Sequence, residues 1–387
     1  MYPTLSHFFQ EVFGWNIPLP IQTYGFFVAM AFLVGVWILA IEFRRKEKEG
    51  VLLSVKLKIW VGEPAKAKDF IISGLVGFIL GFKILEAIIY YTEFVDNPQT
   101  FILSARGSFI GGILGAAISI FSTWREKNKS KLDKPGWQEK EVFPHQLPGN
   151  LLVVAGIFGL LGAKLFDSLE HIDQLVADPI GTLFSFSGLT FLGGVIVGST
   201  AVIIYTRKYK IPTIQLLDVA AVAIPLAYAV GRIGCQVSGD GCWGVPNLNP
   251  QPEWLSWLPD WTWAYNYPHN VINEGSLIHS CDGKHCHILD QPVWPTPFYE
   301  TTLNTIIFII LFSIRKIVKI PGLLISFYLI LGGTERFFIE LIRVNTKYHF
   351  FGTEFTQAEM ISLIMVLAGI AGIIYLLRKE KLKVKTE

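Results

Sequence analysis

This 387-residue sequence predicts an all-α polytopic membrane protein, on three observations. Hydrophobic residues make up 51% of the chain and charged ones only 17%. The mean hydropathy is +0.45. Apolar runs long enough to cross about 30 Å of hydrocarbon recur along its length. That composition excludes a water-soluble domain, and no nucleotide, redox-cofactor or nucleic-acid-binding motif stands in the sequence, so no cofactor is expected.

Nine spans are expected within one integral membrane domain, 1–387: about 20–42, 69–91, 107–124, 150–170, 188–206, 214–232, 298–314, 322–341 and 357–377. The first has no Lys or Arg before Arg44, so it lacks the basic leader of a cleaved signal peptide. The third is the shortest. The sixth ends on Gly231-Arg232-Ile233-Gly234, and Pro295-Thr296-Pro297-Phe298-Tyr299-Glu300 opens the seventh. The eighth carries Glu335, Arg336 and Glu340, and Thr356-Gln357 opens the ninth. With the N-terminus outside, 25 of the 33 Lys and Arg fall in inner segments, which predicts N-out, C-in and an odd number of spans. The net charge of +2 says little beside that segregation.

Spans two and three resemble spans four and five. Gly81-Phe82-Lys83-Ile84-Leu85-Glu86 matches Gly162-Ala163-Lys164-Leu165-Phe166-Asp167; Asn97-Pro98 matches Asp178-Pro179; Ser108-Phe109-Ile110-Gly111-Gly112 matches Thr190-Phe191-Leu192-Gly193-Gly194. Hairpins 69–124 and 150–206 therefore read as a parallel duplication. In each copy a Lys and an acid stand three residues apart on one helix face. The structural reading is a charge pair that fixes packing; the functional one gives Lys164 a place beside a lipid headgroup. Small residues let helices approach closely, which accounts for Gly111 and Gly112. Gly193 and Gly194 are assigned instead to a site, because of the segments that share their membrane level.

Five segments converge there: Tyr24-Gly25, Thr190 to Gly194, Gly231 to Gly234, Pro295 to Glu300, and Arg336-Phe337-Phe338-Ile339-Glu340-Leu341-Ile342-Arg343. Arginine at the end of an apolar run is costly unless an anion compensates it, which marks Arg232 as part of a site.

In order and approximate spacing this set resembles the prolipoprotein diacylglyceryl transferases, bacterial inner-membrane enzymes, as a divergent long form. Their pattern is an early Tyr-Gly, Phe-His-Gly-Gly, Gly-Arg-Ile-Gly-Asn with a later Asn-Gly-Glu, His-Pro-x-Gln-Leu-Tyr-Glu, and Arg-Phe-x-x-Glu-x-x-Arg. Here the family histidine is Leu192, the signature Asn is Cys235, Asn-Gly-Glu becomes Ser238-Gly239-Asp240 followed by an extra Gly241, and Trp294 precedes Pro295. The extra hairpin raises the expected spans from the family's seven to nine.

The resemblance implies transfer of the diacylglyceryl group of phosphatidylglycerol to the lipobox cysteine of a preprolipoprotein signal peptide. A thioether forms and glycerol phosphate leaves, at the outer leaflet of the cytoplasmic membrane. It assigns Arg232, Arg336 and Tyr24 to catalysis. Gly231, Gly234, Gly193, Gly194, Asp240, Tyr299, Glu300, Glu340, Arg343 and Lys164 are assigned to substrate binding. Guanidinium groups suit a phosphate leaving group, and the thiol, with an ordinary pKa of about 8.5, needs a base or a positive field. Each arginine also has a structural reading, a headgroup-level charge paired with Glu340. Tyr24 reads equally as an interfacial aromatic, and His171 is a conceivable base in place of the missing histidine. The alternative function is a catalytically altered paralogue that binds phospholipid or lipoprotein without transfer; a transporter has only the repeat in its favour.

The insert 245–294 holds Trp254, Trp257, Trp261, Trp263 and Tyr265, at home at headgroup depth or in a lid. Cys235, Cys242, Cys281 and Cys286 all fall outside, where disulfides persist, with Cys235–Cys242 and Cys281–Cys286 as the short-loop pairings and cross-pairing open. His279, His285 and His287 beside Cys281 and Cys286 are zinc-ligand types at a non-standard spacing, so a disulfide is preferred and no metal site is assigned.

Overall fold

The computed structural model describes residues 1–387 except 20, 97–100, 103, 180–181, 183–189, 282, 346, 351–352 and 387. Asn97-Pro98 and the start of the fifth span lie outside the described residues. The chain divides into two compact units: residues 2–25 with 56–141, and Met1 with 26–55 and 142–387.

In the smaller unit, α1 (Leu5–Phe13) precedes the first turn of α2 (Thr23–Lys48). Strands β1 (Val55–Val61) and β2 (Gly136–Val142) pair in a two-stranded sheet and flank α3 (Ala67–Ile89), the short α4 (Tyr91–Asp96) and α5 (Phe109–Ser130). Helices α3 and α5 form a hairpin closed by glycine. A Cβ on Gly81 would stand 2.1 Å from the Gly111 carbonyl oxygen, and one on Gly111 2.4 Å from that of Gly81, so only hydrogen fits at this crossing. Lys83 does not pair with Glu86 as its spacing suggested. Its Nζ donates to the carbonyls of Ser104 at 2.5 Å and Arg106 at 2.6 Å, while Glu86 receives Arg106 at 2.8 Å.

The larger unit contains the rest of α2, then α6 (Pro148–Glu170), α7 (Ile172–Ala177), α8 (Phe191–Arg207), α9 (Thr213–Ser238), α10 (Thr296–Ile314), α11 (Leu323–Glu340) and α12 (Gln357–Thr386). Strands β3 (Ser276–Leu277) and β4 (His287–Ile288) pair within the insert, and β5 (Lys347–Phe350) with β6 (Thr353–Thr356) before α12. These short hairpins qualify the all-α expectation; the helices still dominate. The described residues of each of the nine apolar stretches lie mainly on a helix. Among the described residues, six helices, α2, α3, α6, α9, α10 and α12, are long and apolar enough to cross a membrane. Helix α8 is apolar but shorter, α11 carries three charges in its last two turns, and α5 ends in Arg125, Glu126, Lys127 and Lys129.

Helices α2, α9, α10 and α11 share a core of Ile38, Val222, Ala223, Ile307, Leu311 and Leu324. One end of this bundle is tied by buried charge. The Asp218 carboxylate accepts the Gly322 amide at 2.8 Å and the Ile325 amide at 3.1 Å, capping α11 from another helix. Lys46 lies 4.0 Å from Asp218, and Arg315 pairs with Glu42 at 2.7 Å. With that end fixed, the opposite ends of α9 and α11 and the start of α10 meet.

Candidate active site

At that meeting point one carboxylate gathers three arginines. Glu300, fully buried near the start of α10, lies 3.0 Å from Arg232 Nε, 3.2 Å from Arg336 Nη1 and 3.4 Å from Arg343 Nη1. A buried carboxylate is tolerable only when paired, and these partners supply the pairing. Tyr228, one turn before Arg232 on α9, completes the joint: its hydroxyl donates to Glu300 Oε1 at 2.8 Å and accepts from Arg232 Nε at 2.9 Å and Nη2 at 2.7 Å. Because the Arg232 Nε–H is aimed at Tyr228, its approach to Glu300 Oε2 is electrostatic, and Oε2 accepts no hydrogen bond among the described residues. Arg336 also donates to Glu340 Oε2 at 2.7 Å, one helical turn on, and Asn345 donates to the other Glu340 oxygen. Three guanidinium groups against two carboxylates leave this ion-paired set one positive charge in excess. Its arginines retain side-chain exposures of 14%, 26% and 16%, enough to receive an anion.

The chain between α9 and α10 is pinned over the cluster. Gly244 pairs with Arg343 in an antiparallel bridge, and the Val245 amide donates to the Ile342 carbonyl at 2.8 Å. A Cβ on Gly244 would come within 2.3 Å of that carbonyl oxygen, so glycine is required there. Thr296 Oγ1 donates to the Cys242 carbonyl at 2.7 Å, and Tyr299 Oη to that of Thr262 at 2.8 Å. Tyr299 thus anchors the insert to α10. Within the insert, Tyr267 is buried against Trp243 and donates to Gln236 at 2.8 Å, whereas Trp254 and Trp257 are more than 70% exposed.

Glu300, Glu340, Arg232, Arg336 and Arg343 are therefore brought together. Gly231 packs toward Ala31 of α2, 3.9 Å from its virtual Cβ, and Gly234 is buried in the same helix. Asp240 follows the left-handed Gly239 that ends α9, and its Oδ1 accepts the Cys242 amide at 3.2 Å. Gly193 and Gly194 are placed at the α6–α8 crossing. A Cβ on Gly193 would meet Phe166 at 2.4 Å and the Gly162 carbonyl at 2.6 Å; one on Gly194 would meet the Gly159 carbonyl at 3.1 Å. Helix packing accounts for both without a ligand. Lys164 lies 3.7 Å from Asp167 in its own helix, and His171, half exposed, lies beside the same acid. Tyr24, in the first turn of α2, is 43% exposed and belongs to the smaller unit.

The cysteines divide. Cys281 and Cys286 form a disulfide that closes the β3–β4 loop. Cys235 and Cys242, the other short-loop pairing expected, are free thiols. Arg232 Nη1 donates to Cys235 Sγ at 3.7 Å. Hydrogen bonding from Cys235 holds the Cys242 thiol below its ordinary value, and Arg232 and Arg343 act in the same direction against burial and Asp240. Sequence reasoning missed Tyr228; its position four residues before Arg232, on the same helix face, was the available signal.

The chain matches the family model for prolipoprotein diacylglyceryl transferase in two stretches, residues 11–136 and 132–375. It belongs to this family. Among curated relatives, the phosphatidylglycerol–prolipoprotein diacylglyceryl transferase of Clostridioides difficile (strain 630) is 28% identical over 278 residues, which is 71% of this chain and 94% of the relative. That of Treponema denticola (strain ATCC 35405) is 29% identical over 275 residues, 60% and 79% of the two chains. That of Leptospira interrogans (strain Fiocruz L1-130) is 26% identical over 268 residues, 56% and 76%. Leu192, which stands where the sequence resemblance places a histidine, offers no atom for proton transfer.

Proposed function

We propose that the protein transfers the diacylglyceryl group of phosphatidylglycerol to the lipobox cysteine thiol of a prolipoprotein signal peptide, the first step of bacterial lipoprotein maturation. The observation that carries this reading is the convergence of Arg232, Arg336 and Arg343 on buried Glu300. Phosphatidylglycerol brings a phosphodiester with a glycerol head. In this reading the phosphate takes up guanidinium donors now facing Glu300, and a head hydroxyl donates to the unsatisfied Glu300 Oε2. As the thiolate attacks the glyceryl carbon, the C–O bond to phosphate breaks and charge grows on the departing glycerol phosphate. Fixed guanidinium groups stabilise that charge most in the transition state. In this reading Gly231, Gly234, Asp240, Tyr299 and Glu340 border the bound headgroup, and Gly193, Gly194 and Lys164 lie on the neighbouring hairpin.

The proposed setting is the bacterial cytoplasmic membrane, with nine spans, N-out and C-in, and the arginine end at the outer leaflet; the segregation of Lys and Arg supports it. The partners are phosphatidylglycerol, the surrounding lipid and the signal peptide. A paralogue that only binds lipid is the weaker reading, because a binding scaffold has no use for three guanidinium groups positioned on one carboxylate.

The test is transfer from labelled phosphatidylglycerol to a lipobox peptide by purified protein in liposomes. Thioether product that disappears with Arg232→Ala and with a serine-for-cysteine peptide supports the enzyme. Lipid binding without product from folded protein would replace it with the binding paralogue.

A further inference from the structure

Two cysteines and an aspartate outside the arginine cluster stand together at the end of α9. One ligand atom each from Cys235, Asp240 and Cys242 lies within 4.8 Å of the other two. Two Zn–S bonds of about 2.3 Å at the tetrahedral angle set sulfurs about 3.8 Å apart, inside that limit. The loop that presents them is built rather than loose. Gly239 and Gly241 both take positive φ, 66° and 86°, and turn the chain back on itself. The Cys242 carbonyl is held by Thr296 and its amide by Asp240 Oδ1, so ligation through Asp240 Oδ2 leaves that bond intact. Cys235 is buried, and the guanidinium N–H of Arg232 points at its sulfur, the outer contact that suits a ligating thiolate.

We infer that Cys235, Asp240 and Cys242 bind a zinc ion whose fourth position takes the lipobox thiol. Three protein ligands and one open position are the pattern of a reactive rather than a structural zinc. The inference rests on the transferase reading and supplies what Leu192 lacks. When the substrate thiol displaces water from zinc, its S–H bond breaks, the proton leaves to water and the sulfur stays bound as thiolate. That sulfur then forms the S–C bond to the glyceryl carbon while the C–O bond to phosphate breaks, and the electron pair leaves with glycerol phosphate. The Arg232 contact with Cys235 sets the zinc-bound nucleophile beside the guanidinium assigned to the leaving group, so both halves of the displacement share one locus.

The test begins with full-length protein purified in detergent under a phosphine reductant without chelator. Metal analysis should find about one equivalent of zinc per chain. It should fall at least tenfold in Cys242→Ser and persist when His285→Gln and His287→Gln are combined. Cobalt exchanged into the wild type should give a thiolate-to-cobalt charge-transfer band, which needs no variant and so does not depend on a variant's folding. The cobalt spectrum should shift on adding a lipobox cysteine peptide and not its serine counterpart. Absence of stoichiometric metal and of the cobalt band overturns the site, as does zinc lost with the histidines instead. Undiminished transfer by metal-stripped protein overturns the role in thiol activation and leaves the transferase standing. Zinc bound without any transfer removes the transferase reading and leaves the site.

Discussion

Arg232 and Glu300 are joined twice, once by the 3.0 Å approach of Nε to Oε2 and once through the Tyr228 hydroxyl that both of them contact. The second joint fixes the plane of the guanidinium as well as its distance. Tyr228→Phe keeps the ring and removes that joint alone. Hydrogen bonds to charged groups contribute about 1.5–3 kcal/mol, so the melting temperature should fall, and kcat/KM of the folded variant should fall roughly 10- to 100-fold. Transfer kinetics on the purified variant check this, and an unchanged rate would reduce Tyr228 to packing.

Glu300→Ala acts differently, because it strands Arg232, Arg336 and Arg343 with no shared carboxylate. Breaking a buried pair from one side costs about 3–5 kcal/mol. Glu300→Ala should therefore lower the melting temperature in detergent markedly, and Glu300→Gln less, since the amide oxygen still accepts from a guanidinium. Thermal unfolding of the two variants side by side is the measurement.

At Gly193 an added methyl meets Phe166 at 2.4 Å and the Gly162 carbonyl at 2.6 Å, whereas at Gly194 its closest neighbour is 3.1 Å away. Overpacking costs about 1–3 kcal/mol. Gly193→Ala should lose stability and Gly194→Ala should stay close to wild type. Lost transfer in a stable Gly193→Ala protein would instead return this glycine to the substrate site.

Asp218 caps α11 from the neighbouring α9, at the end of the bundle away from the arginines. Loss of a cap costs about 0.5–2 kcal/mol. Asp218→Ala should lower the melting temperature and leave the KM for phosphatidylglycerol unchanged, because Gly322, Ile325 and the buried Lys46, not the site, lose their facing carboxylate.

The Cys281–Cys286 disulfide closes a loop of only a few residues, for which the chain-entropy model gives about 2 kcal/mol. The double serine variant should melt a little earlier and transfer at the wild-type rate. Differential scanning with the transfer assay separates the two effects.

The helices were legible because long apolar runs bounded by Arg, Lys, Gly and Pro leave few alternatives, and the described residues of each of the nine runs lie mainly in one. So were Arg232, Glu300, Arg336, Glu340 and Arg343, because charged groups at the ends of apolar runs must find one another. Spacing said much less about direction. Lys83 and Glu86 share a helix face, yet the lysine turns to loop carbonyls and the acid to Arg106. Gly193 and Gly194 share a motif with a site and are accounted for by a helix crossing. The Cys235–Asp240–Cys242 group depends on a turn made by two glycines, whereas the zinc-ligand types visible in the sequence lie at His279 to His287, where the preferred Cys281–Cys286 disulfide stands.

Glu300 can be viewed as an occupant that never leaves. In the resting protein it keeps the three arginines from drifting toward solvent or seizing the first small anion that diffuses past. In the proposed reading a phospholipid headgroup gains entry because it brings both a phosphate for the guanidinium groups and a hydroxyl for the carboxylate they turn from. On the same reading, once glycerol phosphate departs the carboxylate is already in place to close the vacancy, so the site resets without waiting for an ion from outside.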